Sequence, residues 1–184
     1  MRVITGTARG TRLLTPNGDT ARPTTDKVKE SIFNIIQFDV PGRDVLDLFA
    51  GTGQLAIEAL SRGAESAVLV DQSRDMVKLI GENLKRAKME KQAEIVNSDA
   101  ESYLKRCRKK FGIIFLDPPY AGDLLETSLD LILKFDILLS GGIIVCERPA
   151  DGELKSYDKP GLSVRDYKYG KTVISVYRLM LEEV

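Results

Sequence analysis

The sequence predicts an α/β protein: a mostly parallel sheet, helices on both of its faces, and an antiparallel end. Three observations carry this. From residue 44 onward, strand-like apolar runs alternate with segments of helical spacing. Those runs are apolar at consecutive positions, as strands covered on both sides require. The last long stretch, GLSVRDYKYGKTVISVYRLML, reads instead as two strands joined near Gly170, a hairpin.

In chain order, RVITGTARGTRLLTP alternates and carries glycines, which predicts a short N-terminal hairpin. In RPTTDKVKESIFNIIQF, Thr24 or Thr25 reads as an N-cap with Asp26 in the first turn. Val28, Ile32, Ile35 and Ile36 give that segment helical spacing. DVLDLF (44–49) is the first strand, followed by glycines and the helix GQLAIEALSRG. ESAVLVD (65–71) is the second, followed by a helix with Ser73 as a possible cap. AEIVNSD (93–99) and FGIIFLD (111–117) are the third and fourth, separated by the helix AESYLKRCRKK. GDLLETSLDLILKFDIL is a helix and GGIIVCERP (141–149) the fifth strand. No repeat, low-complexity tract or linker interrupts the chain. A single domain over 1–184 is expected, with 1–40 as an N-terminal hairpin and helix extension and 41–184 as the α/β core.

With 43% hydrophobic and 29% charged residues, the 184-residue chain is large enough for one sizeable core. A formal net charge of +0 provides no global field for nucleic acid, so any basic surface must be local. Histidine is absent, which excludes Ser-His-Asp and Cys-His catalysis and every His-ligated metal site. Cys107 and Cys146 form no C-x-x-C pair, so structural zinc and thioredoxin chemistry are not expected. No metal is expected. MRVITGTARG lacks the apolar core of a signal peptide and no run has the length of a membrane span, so the expected place is the cytoplasm.

In a sheet of this kind, ligands bind beyond the carboxyl ends of the strands, at the point where strand order reverses. The first four strands end on acids: Asp47, Asp71, Asp99 and Asp117. DLFAGTGQLA holds G-x-G-x-x-A at Gly51, Gly53 and Ala56, and Asp71 follows about twenty residues on, as in a dinucleotide fingerprint. A nicotinamide dehydrogenase and a methyltransferase could both use this loop. Asp47, just before it, distinguishes them. A carboxylate there suits a ligand with an ammonium or sulfonium and no phosphate, a description that S-adenosylmethionine meets. Asp71 is placed to accept from ribose hydroxyls. Asp99 either accepts from an adenine amine, with backbone N–H groups of Asp99 and Ala100 on the ring nitrogens, or caps the next helix.

FGIIFLDPPYAGD raises a further point. Tandem prolines remove two donors and stiffen the chain at a strand end. The Asp117 carboxylate and Pro118 carbonyl, fixed by Pro119, are suited to gripping the two N–H bonds of an exocyclic base amine. That would localise its lone pair for attack on a methyl sulfonium. Tyr120 offers a ring on which an extruded base can stack.

LDLFAGTGQLAIEALSRGA and IIFLDPPY together resemble class I S-adenosylmethionine-dependent methyltransferases acting on an amino nitrogen, whose fold is Rossmann-like. RPTTDKVKESIFNII, with GxxRGxxL at Gly6, Arg9, Gly10 and Leu13, narrows the resemblance to the RsmD family. Those are bacterial 16S ribosomal RNA guanine-N2 methyltransferases, named for guanine 966. The likeness covers nearly the whole chain. It implies a seven-stranded sheet with an antiparallel last strand. It also implies cofactor contacts at Thr24, Asp47, Phe49, Ala50, Gly51, Thr52, Gly53, Asp71, Gln72, Asp99 and Ala100. Asp117, Pro118, Pro119 and Tyr120 would be catalytic, and Arg22 to Thr24 would border the active site.

The expected partner is 16S rRNA, within a 30S subunit or an assembly intermediate, with Arg9, Arg12 and Arg22 on its phosphates. The basic run Lys105 to Lys110 reads better as a solvated helix face. Three rival readings share some of these residues: an adenine-N6 methyltransferase, a nicotinamide oxidoreductase, and a ribosome-assembly factor without catalysis.

Overall fold

The computed structural model describes residues 1–16, 26–119, 122–152 and 154–180. Its strands are β1 (Asp44–Asp47), β2 (Ser66–Asp71), β3 (Ala93–Asn97), β4 (Phe111–Leu116), β5 (Leu138–Pro149), β6 (Leu162–Tyr169) and β7 (Thr172–Leu179). They form one seven-stranded sheet in the order β3-β2-β1-β4-β5-β7-β6. β1 to β5 pair in parallel, whereas β7 lies antiparallel to both β5 and β6. The last strand therefore slots between β5 and the edge strand β6. The hairpin register closes at Tyr169 opposite Thr172, and Gly170 supplies the positive φ of 60° that the tight turn needs.

The helices are α1 (Asp26–Ile35), α2 (Gln54–Ser61), α3 (Arg74–Ala87), α4 (Ala100–Arg106) and α5 (Leu124–Lys134). Strand side chains alternate between two cores, as the pleat requires. Val45, Leu69, Ile113, Phe115, Val145 and Ile174 share one face with α1, α2 and α3. Leu46, Val68, Ile114, Leu116, Ile144 and Cys146 share the other with α4 and α5. β4 is buried at all six positions, which accounts for its uninterrupted apolar run. Each such large side chain withdrawn from water contributes about 1.5–3 kcal/mol. Among the described residues, no helix is long and apolar enough to cross a membrane.

Several boundaries differ from the sequence reading. The helix expected over 100–110 ends at Arg106, and Cys107 is extended at φ −61° and ψ 132°. A continued helix would stack the cations of the Lys105–Lys110 run on one another. Unwinding lets Lys109 reach Asp44 at 3.3 Å and Lys110 reach Asp136, while Lys105 pairs with Glu101 at 2.7 Å. α5 stops at Lys134, and Asp136 takes a positive φ of 54°. β5 starts at Leu138 rather than 141 and is irregular where Phe111 and Ile113 of β4 pair with Leu138 and Ile143. A short 3-10 turn, Glu90–Gln92, was not anticipated.

The N-terminal hairpin is present in reduced form. Arg2 and Arg12 make one antiparallel bridge, with Val3 N–H donating to the Thr11 carbonyl at 3.0 Å. What fixes this arm is its attachment to α2 and α3 rather than a strand ladder. The Glu58 carboxylate accepts from Ile4 N at 2.8 Å, Thr5 N at 3.0 Å and Arg62 Nε at 2.8 Å. Fully buried Lys29 lies 3.7 Å from Glu58 and donates to the Arg2 carbonyl at 2.6 Å. Burial holds the Lys29 ammonium below the usual lysine range, against the pull of Glu58 and Asp26. Gly6, at φ 88°, passes so close to α2 that a Cβ there would sit 1.7 Å from the Ser61 carbonyl oxygen. The first glycine of the GxxRGxxL motif is therefore a contact requirement.

Candidate active site

The strand order reverses between β1 and β4: β2 and β3 continue on one side, β5, β7 and β6 on the other. In open sheets of this kind ligands bind beyond the carboxyl ends of the two strands at such a reversal. Asp47 ends β1 and is aligned with Leu69 of β2 and Phe115 of β4. Two residues on from those partners stand Asp71 and Asp117. The three carboxylates thus gather at three adjacent strand tips.

Asp47 is 1% exposed. Its Oδ2 accepts from Ala56 N at 3.3 Å, in the first turn of α2. Its Oδ1 is buried with no hydrogen-bond partner among the described residues. An orphaned carboxylate oxygen is costly, and a buried one without a cation does not ionise easily. Accordingly the Asp47 pKa is pushed up to about 7, by burial first and by the Asp117 and Asp71 charges second, against the Ala56 N–H. The site is therefore short of a positive group at this atom.

The loop from Phe49 to Gly53 turns tightly over β1. Ala50 N donates to the Val70 carbonyl at 2.9 Å and Gly53 N to the Ala50 carbonyl at 2.7 Å. Gly51 (φ 53°) and Gly53 (φ 78°) are both left-handed, and Gly53 opens α2. A Cβ on Gly53 would press to 3.1 Å from Leu69 Cδ2, whereas one on Gly51 would stand in open space. Thr52 and Ala50 are buried, and Phe49 packs against the α4–α5 core. Asp71 binds this loop directly. Its Oδ2 accepts from Gly51 N at 2.8 Å and its Oδ1 from Ser73 N at 2.8 Å. Asn97 braces the same turn, donating to the Asp71 and Gln72 carbonyls at 3.0 Å each. Gln72 is exposed.

Asp99 is the N-cap of α4, its Oδ1 accepting from Ser102 N at 2.8 Å, and Ala100 is the first, buried residue of that helix. The Ser102 bonds hold the Asp99 carboxyl below the usual carboxylate range. Of the two roles read for Asp99, capping is the one seen. Pro118 is buried and Pro119 exposed at the tip of β4, and both line a cavity of about 260 Å³ that extends toward β5. Tyr120, Thr24 and Arg22, with the Thr25 cap, lie outside the described residues. Arg9 and Arg12 are exposed on the arm, with no ion pair among the described residues.

Comparison with known proteins gives a consistent picture. The family model described as conserved hypothetical protein 95 matches residues 1–178. YlbH of Bacillus subtilis, which carries a provisional rRNA methyltransferase name, is 41% identical over 97% of this chain and 98% of its own length. Ribosomal RNA small subunit methyltransferase D of Escherichia coli K12 is 33% identical over 97% and 89%.

The chain belongs to the RsmD family.

Solved structures agree. The RsmD-family chain superposes on yhhF from Escherichia coli, provisionally titled a methyltransferase, with a TM-score of 0.88 and 33% identity over 99% of both chains. Thermus thermophilus protein TTHA0928 gives a TM-score of 0.80 at 29% identity, covering 96% of this chain and 98% of that one.

Sequence reasoning missed several residues that assemble this site. Asn83, fully buried in α3, donates to the Thr52 carbonyl at 2.9 Å and exchanges bonds with the backbone of Leu14 at 2.7 and 3.1 Å. It ties the glycine loop to the N-terminal arm of the RsmD-family chain. Thr52 Oγ1 also donates to Met1 Sδ at 3.3 Å. A polar residue breaking the apolar stripe of a helix was the one available signal, in NLKRA as in AIEALS around Glu58. Of the basic run, Lys109 and Lys110 lie at the amino ends of the strands beside Asp44 and Asp136, whereas Arg106 reaches back to Ser98 Oγ at 3.2 Å.

Proposed function

We propose that this chain transfers a methyl group from S-adenosylmethionine to the exocyclic N2 amine of a guanine in 16S ribosomal RNA, guanine 966 by family likeness. The observation that carries the reading is the pairing of two features across the strand reversal. On one side is a glycine loop with a buried, cation-seeking carboxylate at Asp47. On the other is the rigid Asp117-Pro118-Pro119 tip of β4. Support for the RNA substrate comes from the names of the relatives, and for the amine from the residue types at the tip.

The residues fit such a cofactor. Asp47 Oδ1 would accept from its ammonium, a positive charge that removes the cost of the orphaned oxygen. Asp71 keeps lone pairs for ribose hydroxyls beside its two backbone bonds. The loop of Phe49, Ala50, Gly51, Thr52 and Gly53 offers backbone at close range. Gln72, Ala100 and Thr24 are assigned to the same pocket by family likeness alone, and Asp99 to its adenine end. When bound, S-adenosylmethionine supplies an electrophilic methyl group on sulfur.

The chain's own work is on the amine. An exocyclic guanine amine is a poor nucleophile because its lone pair is delocalised into the ring. The Asp117 carboxylate and Pro118 carbonyl accept its two N–H bonds and turn the lone pair toward the cofactor pocket. Pro119 stiffens that carbonyl, and Tyr120 supplies the stacking face. The methylated amine is cationic and sheds a proton, for which Asp117 is the nearest acceptor. Arg9, Arg12 and Arg22 hold RNA phosphates without reading sequence. The net charge of +0 favours a substrate shaped by a 30S subunit or assembly intermediate over naked RNA.

The test is transfer from S-adenosylmethionine to small subunits lacking the modification, with nucleoside mass spectrometry of the product. N2-methylguanosine at one site is expected. Methyl on adenine N6, or none under conditions of cofactor binding, would reject it.

A further inference from the structure

The cavity at the tip of β4 is lined by a carboxylate, Glu147, that neighbours Asp117 across the strand pair and that the transfer chemistry does not use. Leu116 of β4 pairs with Cys146 of β5, so the next residues, Asp117 and Glu147, leave adjoining parallel strands side by side. Glu147 is half-buried and lines the same 260 Å³ cavity as Pro118 and Pro119. That volume is below the range for drug-sized ligands and suits one extruded base.

The walls indicate what this space does not bind. Arg148 is its one arginine, and its donors are engaged elsewhere. It bonds Ser175 Oγ at 3.0 Å, Asp166 Oδ2 at 2.7 Å and the Gly152 carbonyl. Its charge is met by Asp166, and it serves as a strut for the loop after β5. With Glu126 and Asp123 also on the lining, the cavity is acidic and repels phosphate. Proline and leucine surfaces at Pro118, Pro119 and Leu154 suit a flat, uncharged ring.

Two adjacent carboxylates call for a ligand edge with two adjacent donors. Guanine presents N1–H beside its N2 amine. Adenine and cytosine present an acceptor nitrogen beside theirs, and a carboxylate has no proton to give it. We propose that Glu147 accepts from guanine N1–H while Asp117 holds the N2 amine, so that this pair of strand tips selects guanine over other amino-bearing bases. This rests on the methyl transfer proposed above and adds the residue that sets its base specificity.

The test uses the full-length protein and small subunits reconstituted with 16S RNA carrying either guanine or 2-aminopurine at the target position. 2-Aminopurine keeps the 2-amine and lacks N1–H. The wild type is expected to favour guanine by about 10- to 100-fold in kcat/KM, the range for one hydrogen bond to a charged group. Glu147→Gln, whose amide can donate to an acceptor N1, is expected to shrink that ratio at least tenfold. Unchanged S-adenosylhomocysteine affinity of the variant verifies its fold. A wild type indifferent to the two bases, or a Glu147→Gln variant with the wild-type ratio, overturns the role of Glu147 and leaves methyl transfer intact. A wild type that methylates no guanine removes both readings.

Discussion

Asp71 Oδ2 accepts from Gly51 N–H at 2.8 Å, so the acid at the tip of the second strand already grips the glycine loop of the first. Its other oxygen fixes Ser73, whose hydroxyl caps α3 by accepting from Met76 N at 3.4 Å. One carboxylate thus orders both the loop and the next helix. Asp71→Ala is expected to weaken S-adenosylhomocysteine binding at least tenfold. It should also cost about 1–2 kcal/mol of stability, since two charge-assisted bonds are lost. Calorimetric titration and urea melts read the two separately, and a loss of stability alone would remove the ribose role.

Asp117→Ala is expected to lower methyl transfer by about 10²–10³, the scale of removing one preorganised group from a reacting centre. Cofactor affinity should change no more than a few-fold. Parallel loss of both in single-turnover and binding assays would place Asp117 in the cofactor pocket or the fold instead.

Asp47 is expected to make cofactor affinity pH-dependent. Its carboxyl titrates near pH 7 in the free protein, and a cationic ligand binds the ionised form. Affinity should therefore be flat above pH 7 and fall toward tenfold per pH unit below it. Asp47→Asn should abolish that slope. The effect on folding has the opposite sign. The folded protein keeps this proton up to about pH 7 whereas the unfolded chain loses it near 3.8, so burial of Asp47 lowers stability as pH rises between those values. Asp47→Asn should stabilise the free protein by about 2–4 kcal/mol at pH 8, or roughly 5–10 °C in Tm, with the gain shrinking toward pH 4.

The N-terminal arm tests the buried staple. Glu58→Ala strands Lys29 and frees the amides of Ile4 and Thr5, with an expected cost of about 3–5 kcal/mol. Gly6→Ala places a methyl group inside the Ser61 carbonyl and should cost at least as much. Thermal melts check both. Arg9→Ala, on an exposed residue of the same arm, should leave Tm within about 1 °C.

The sheet was legible because its signal is local. Ile113 to Leu116 are apolar in succession, and Gly170 between two strand-like runs marks the closing hairpin. The glycine loop and the acids that end the strands were legible for the same reason, each motif lying within about ten residues. Boundaries failed where the fold overrode local spacing, as at Arg106, beyond which the chain is extended and Lys109 and Lys110 lie beside Asp44 and Asp136.

What the sequence determined by itself was the order of strands and helices along the chain and the acid at or just beyond each of the first four strand tips. Tertiary structure decided which of those tips became neighbours. It set Asp47 between Asp71 and Asp117, brought Glu147 beside Asp117, and used Glu58 and Asn83 to fasten the first fourteen residues under the loop. Hydrophobic periodicity is written in steps of two to four residues, whereas these contacts close loops of about twenty to seventy. Only the register of the assembled sheet determines them.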